Sequence, residues 1–426
     1  MPTLMYGTRP IDLKIPRERL RLVDAADAGT PRAPLEALRE STRAPLAGPP
    51  LRELAAGRRV TCIVADATRS EPHDALMHAV LEHLAGAAFV RCIVGTGTHE
   101  RFSGGNRRIV ASFRSLASQM GIPHAITIHD CHDAALHVSL GVTPRGTPVE
   151  VNREALDADL FVVTADVKNH YFAGYSNPLK SFLPAISSFA AVENNHSFAL
   201  APDAAFGRHP WHPDPARRTN PVAEDMLDAM RMVVRDRAVF VLAGVTVPEG
   251  VLWSGAGEAE AVTREAIRQV DRRTSVRVEP CRFLIVCPGG HPEDESLYNA
   301  QRGLELSRTA VRAGGEVLLL ARCEKGAAPT AKARTEFYER LTAPLDEVIA
   351  GLEARYVLYS HKAYKFARLI RSLARITLVT DMPEREVRAA HLDWAADAQT
   401  VVNRWLAESD EPMLVNPRAN KVALLT

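Results

Sequence analysis

The stretch Leu160-Phe161-Val162-Val163-Thr164, followed by Lys168-Asn169-His170-Tyr171-Phe172-Ala173-Gly174-Tyr175-Ser176-Asn177-Pro178-Leu179-Lys180, sets the fold class. An unbroken apolar run without polar alternation reads as a strand buried on both faces, as in a parallel sheet covered by helices. His170 and Lys180 follow where that strand ends, and Asn194-Asn195-His196 comes soon after. Open α/β sheets place their sites at the carboxyl ends of strands. Two upstream segments repeat the layout. The strand over 59–65 runs into Asp66-Ala67-Thr68-Arg69, and the strand over 89–94 runs into Gly95-Thr96-Gly97-Thr98-His99. Three polar loops should therefore meet on one sheet edge.

Periodicity extends this reading along the chain. Helices are predicted over 71–84, 107–119, 180–191, 222–233 and 258–270, and further strands over 125–128 and 239–245. Residues 1–58, rich in Pro and Arg, read as an arm wrapping the first domain, with helical pieces at 34–40 and 50–55. Charged residues without apolar period over 272–280 mark a boundary. A second βαβ series follows, with strands over 282–287, 316–320, 355–359 and 376–379 and helices over 297–313, 331–349 and 362–372. The expected architecture is α/β, with two domains, each a mostly parallel sheet flanked by helices, and an active site in the cleft between them. The expected domains are 1–275, rejoined by 404–426, and 276–403.

The totals exclude several classes. A chain of 426 residues suits two domains, and a formal net charge of +1 gives no general attraction to nucleic acid or an anionic membrane. No apolar run reaches the roughly 20 residues that span a bilayer, and the first residues lack a signal-peptide layout. Six scattered cysteines without a CxxC pair read as reduced core residues of a cytoplasmic protein. A metal site would then use histidine. These totals are compatible with a homo-oligomer.

Each motif has a plain reading beside a functional one. Asp66 and Arg69 suit capture of a carboxylate or phosphate, or equally a helix cap with a surface ion pair. The Gly95-Thr96-Gly97 turn allows backbone approach to phosphate, but lacks GxGxxG spacing. His99 is a strand-end base or a structural histidine. Lys180, read as opening a helix against its dipole, suits a ligand-bound role more than a solvated one. His196 suits a metal ligand, the remaining donors coming from a cofactor. His209 and His212, set among prolines, read as a surface loop more than a metal pair. Gly289-Gly290-His291-Pro292 reads as a turn that accommodates phosphate or simply opens a helix, with Tyr298, Asn299 and Arg302 following on one face.

Together these motifs resemble the nickel-pincer lactate racemase family over most of the chain. The matches are Asp66-Ala67-Thr68-Arg69, Gly95-Thr96-Gly97-Thr98-His99, His170-Tyr171-Phe172-Ala173-Gly174-Tyr175-Ser176, Lys180-Ser181-Phe182-Leu183-Pro184, Asn195-His196, Asn220-Pro221-Val222 with Glu224-Asp225-Met226, Leu297-Tyr298 and Ser360-His361-Lys362-Ala363. The resemblance implies a pyridinium-3-thioamide-5-thiocarboxylic acid mononucleotide carrying nickel, linked to Lys180, with His196 on the metal. It implies that His99 and His170 are the two acid/bases and that Arg69 holds the substrate carboxylate. It places Asp66, Thr68, Tyr298 and Asn299 at the cofactor and Arg302 at the substrate. The implied reaction is racemisation or epimerisation of a 2-hydroxy acid, and the implied partners are that acid and the cofactor's biosynthetic enzymes. The chain departs from the pattern at Asn177-Pro178-Leu179, Ala185, Ala223, Asn299 and Arg302. Arg302 in place of lysine suits a larger or more acidic acid than lactate. The rival readings are a cofactor carrier without turnover and a histidine-metal hydrolase.

Overall fold

The structure, a computed structural model, describes residues 3–24 and 29–426. The chain forms two compact units, Ala28–Asp271 and Met1–Asp27 with Arg272–Thr426. In the first unit the strands of the main sheet are β1 (Arg59–Ala65), β2 (Phe89–Gly95), β3 (His124–Ile128), β4 (Leu160–Asp166), β5 (Ala238–Val247) and β6 (Gly250–Glu258). They lie in the order β6-β5-β4-β1-β2-β3. β1 to β5 are parallel, and β6 returns antiparallel to β5. All seven residues of β4 are buried, as its unbroken apolar run requires. Helices His73–Leu81 and Gly104–Gln119 pack Leu76, Met77, Val80, Ile109 and Phe113 against Val60, Cys62, Val90 and Cys92.

This strand order places the site. The chain builds outward through β1, β2 and β3, then crosses back to lay β4 on the other side of β1. The crevice outside the carboxyl ends at such a reversal is where doubly wound sheets take ligands. Asp66 follows β1, His99 follows β2, and His170 follows β4.

The other unit holds a second six-stranded sheet, with Met413–Asn416 between Cys281–Val286 and Leu20–Leu22. All its pairings are parallel. Trp405 is fully buried and stacks on Phe283 with ring centroids 4.9 Å apart.

Five expectations are corrected here. Residues 404–426 do not rejoin 1–275: Met413–Asn416 pairs with Cys281–Val286, because its apolar residues complete that sheet's core. The beginning of the chain does not wrap the first unit either, since Leu20–Leu22 pairs with Met413–Asn416. Helices do form at Pro34–Arg43 and Leu51–Ala55, within the first unit. No strand forms over 355–359, and the helix expected over 331–349 is interrupted before Leu345–Ala354, which begins after Pro344. Finally, no helix runs from Lys180 to residue 191. A 3-10 turn covers Pro178–Ser181, Pro184 stops any continuation, and the helix is Phe189–Ser197, capped by the Ser188 hydroxyl accepting from the Ala191 N–H at 3.2 Å.

Candidate active site

After β1 the chain turns sharply, the Arg69 N–H donating to the Asp66 carbonyl at 3.1 Å. Asp66 is 2 % exposed and acts as a hub. One carboxylate oxygen accepts from the Thr68 hydroxyl at 2.9 Å, and the other lies 3.0 Å from His99 Nδ1. Burial pushes the Asp66 pKa up, but the hydrogen bond and charge of His99, with help from Thr68 and Arg69, hold it below the usual carboxylate range. An ionised carboxylate only accepts, so Nδ1 of His99 carries the ring proton and Nε2 keeps its lone pair. Arg69 is exposed beside this pair. Asp66 and Thr68, implied by the resemblance to lie at a cofactor, are thus engaged with His99.

The Gly95–His99 loop is shaped by packing. A Cβ on Gly95 would fall 2.6 Å from the Ala185 side chain. Gly97 has φ +53, and its N–H donates to the Ala185 carbonyl at 3.0 Å. The glycines therefore serve close approach to the loop after Lys180, and the Gly97 amide is not presented to a phosphate.

His170 sits on a short hairpin that propensity did not reveal. Lys168–His170 pairs antiparallel with Gly174–Ser176, and Tyr171-Phe172-Ala173 forms the turn. His170 Nδ1 accepts from the Ala173 N–H at 3.2 Å, so the proton of its neutral ring is on Nε2. The two histidines thus rest in opposite tautomers. Gly174 has φ +75, and a Cβ there would lie 1.6 Å from the Arg208 carbonyl oxygen, so only glycine fits.

Phe172 draws the remaining groups together. Its ring centroid lies 4.5 Å from that of His170 and 5.3 Å from that of His196, and Lys180 Nζ is 5.9 Å from it. Desolvation, then the charge of Lys180, with smaller effects of His99 and Arg69, bring His196 down to about 3. Its imidazole is therefore neutral, as a metal ligand must be. Lys180 is positioned by Asn177: the Asn177 side chain caps the turn by accepting from the Leu179 N–H at 2.9 Å and donates to the Tyr175 carbonyl at 2.8 Å. The departure Asn177-Pro178-Leu179 is thus a capped turn with proline at its first position. The dipole argument for Lys180 falls with the missing helix.

Helix Pro221–Val234 braces both halves of the site. Asn220, at its N-cap, donates to the Phe172 carbonyl at 2.9 Å. Buried Asp225 accepts from Asn195 at 2.8 Å and from Thr147 at 2.8 Å. Neither role was anticipated, because both depend on contacts 30, 48 and 78 residues apart in sequence. Glu71 was also missed. It is buried, its Oε1 makes no hydrogen bond, and that atom lies 3.8 Å from His73 Nε2. Burial, then the charge of Asp166, push it up to about 8 against the pull of Lys168 and Arg69.

His209 and His212 are not on the surface: both are buried. Tyr175, His212 and Arg217 all converge on Asp271. Among the described residues, no group of three or more His, Cys, Asp or Glu side chains is arranged to hold a metal, and no helix is long and apolar enough to cross a membrane.

Tyr298, Asn299 and Arg302 belong to the other unit, on helix Leu297–Ser307. Asn299 Nδ2 donates to Glu295 at 3.0 Å. Lys362 Nζ donates to the Tyr298 carbonyl at 2.5 Å and lies 4.0 Å from its ring centroid. Burial, then the charge of Arg302, lower Lys362 to about 7. The Gly289-Gly290 turn packs on the N-terminal hairpin, the His291 N–H donating to the Gly7 carbonyl at 2.9 Å.

The chain is similar to known proteins in sequence and in fold. Residues 6–207 match the model of the lactate racemase N-terminal domain. The chain is similar to the lactate racemase of Thermoanaerobacterium thermosaccharolyticum, with 24 % identity over 330 residues, covering 75 % of this chain and 74 % of the relative. It is similar to that of Lactiplantibacillus plantarum, with 27 % identity over 303 residues, covering 68 % and 66 %. The fold is that of the T. thermosaccharolyticum lactate racemase apoprotein, with a TM-score of 0.84 at 22 % identity, covering 100 % of this chain and 99 % of the other. A Thermotoga maritima protein superposes with a TM-score of 0.62 at 16 % identity, over 93 % of this chain and 100 % of the other.

Proposed function

Because the chain belongs to the lactate racemase family, we propose that it racemises or epimerises a 2-hydroxy acid, His99 and His170 exchanging the hydroxyl proton. The enzyme class is isomerase. The observation that carries the reading is the convergence of His170, Lys180 and His196 on the Phe172 ring, with His99 and Arg69 close enough to act on His196.

The residues fit a nickel-pincer nucleotide. His196 is a neutral imidazole, and Lys180 offers an amine beside the same aromatic cluster. With His196 as the imidazole donor, the metal's other donors would come from the group itself. Lys180 would hold it covalently and His196 would ligate its nickel; bound there, it supplies a site that accepts and returns a hydride at the substrate carbon. The family resemblance assigns Asp66, Thr68, Tyr298 and Asn299 to its binding as well.

The chain's own groups handle the proton and the carboxylate. A Cα–H beside a hydroxyl is too weak an acid for histidine, so the proton that moves is the hydroxyl proton. Arg69 holds the substrate carboxylate by paired hydrogen bonds. Glu71, which burial keeps in the acid form up to about 8, adds no second negative charge beside that guanidinium. His99 takes the hydroxyl proton on Nε2, and Asp66 steadies the imidazolium through Nδ1. The planar keto acid then receives its proton from His170 when the opposite face is reduced; for that step His170 enters as the imidazolium and is left as the neutral ring. In the reverse direction the two rings exchange roles. Arg302, proposed to contact the substrate, favours a larger or more acidic acid than lactate. The test is intact mass after co-expression with the enzymes that make the cofactor. The proposal expects an adduct that Lys180→Ala removes, and an adduct retained by that variant would overturn it.

A further inference from the structure

We infer that Tyr175, through a partly buried carboxylate at Asp271, is a positioning residue for His170, an inference that rests on the proposed acid/base role of that histidine. The hairpin carrying His170 has three residue pairs, and a two-stranded hairpin of that size does not hold a position by its own ladder. Its placement must come from side chains. Asn220 holds the turn through the Phe172 carbonyl. On the returning strand, Gly174 faces His170 and has no side chain to anchor.

The next residue supplies the anchor. Tyr175 is fully buried, and its hydroxyl donates to Asp271 Oδ1 at 2.6 Å. Asp271 Oδ2 accepts from Arg217 Nη1 at 2.5 Å and lies 3.2 Å from His212 Nε2. Arg217 Nη2 also donates to the Tyr175 oxygen at 3.0 Å, and Arg217 Nε donates to the Gly207 carbonyl at 2.6 Å. His212 Nδ1 accepts from the Asp214 N–H at 2.9 Å, which leaves the proton on Nε2 and makes His212 a donor to Asp271. Asp271 is thus an ionised acceptor with three donors. The same Arg217 contact draws Gly207 towards Gly174, whose carbonyl accepts from the Gly207 N–H at 3.4 Å. Two strands of contact, one polar and one steric, fix the residue opposite His170.

The experiment uses Tyr175→Phe and Asp271→Asn in the full chain. Hydrogen exchange reads the amides of 168–176 against those of β1 and β4, and histidine NMR reads the titration of His170. Tyr175→Phe should speed exchange of the hairpin amides about tenfold or more, the weight of one hydrogen bond to a charged group, and leave the sheet amides unchanged. It should also shift the His170 titration. In cofactor-loaded protein it should lower kcat about tenfold or more with KM within about twofold, the Lys180 adduct being intact. Asp271→Asn should do the same more strongly; if it fails to fold, Tyr175→Phe, which removes one oxygen atom, decides. Unchanged hairpin exchange and unchanged His170 titration in Tyr175→Phe overturn the inference. Because these two readouts need no turnover, failure of the racemase reading leaves them intact, and failure of the anchor is seen separately.

Discussion

Replacing Glu71 by glutamine should change how stability depends on pH. Glu71 is buried with one oxygen unbonded, and its pKa lies at about 8 in the folded chain against an ordinary value of 4.5. Below pH 4.5 both folded and unfolded states hold the proton, so the group adds no pH dependence. Above it the unfolded chain ionises freely while the folded chain retains the proton. Folding is therefore penalised progressively from pH 4.5 until the folded group also ionises near pH 8. At about 1.36 kcal/mol per decade, the gap between those values amounts to roughly 5 kcal/mol. The amide introduced by Glu71→Gln would copy the shape of the neutral carboxyl and carry no such penalty. Urea unfolding of both proteins at pH 5, 6.5 and 8.5 measures this. The variant should match the parent within about 1 kcal/mol at pH 5 and exceed it by several kcal/mol at pH 8.5. Parallel stability curves over that range would refute the assignment of Glu71 as a neutral buried acid, and with it the claim that Glu71 adds no negative charge beside Arg69.

Other substitutions probe the parts separately. Asp66→Asn can donate to His99 Nδ1 and so stabilise the wrong tautomer; kcat should fall by about 100-fold or more with the fold retained, measured by chiral chromatography and circular dichroism. His196→Ala should leave the mass adduct on Lys180 while nickel, read by elemental analysis, drops to background. Gly174→Ala places a Cβ against the Arg208 carbonyl in a left-handed backbone, so the hairpin should open and thermal stability should fall by about 2 kcal/mol or more. Asp225→Ala strips the acceptor from Thr143, Thr147 and Asn195; urea unfolding should show a loss of about 3 kcal/mol or more.

The sheet edge was legible because it depends on local patterns. β1, β2 and β4 are apolar runs, and the polar residues at their ends announce themselves in order. His99, His170, Lys180 and His196 were read from those ends and from motif order. What escaped was set by distant partners. The hairpin that holds His170 has strands of three residues, too short for any period to show. Asp271 meets Tyr175 across 96 positions, and His212 meets Asp271 across 59, so loop composition alone sent His212 to the surface. The placement of Met413–Asn416 in the second sheet reflects the same limit, since a four-residue apolar strand fits either sheet until its neighbours are known. Glu71 looked like an ordinary first-turn acid, and only burial beside Asp66 and Asp166 distinguishes it.

The most direct measurement follows one enantiomer of a 2-hydroxy acid, incubated with protein whose Lys180 adduct has been verified by mass, on a chiral column. The account predicts that the opposite enantiomer accumulates to an equal mixture, and that His99→Ala and His170→Ala each stop it. A loaded protein that leaves every hydroxy acid offered to it optically pure would contradict the account, as would racemisation that continues in both histidine variants.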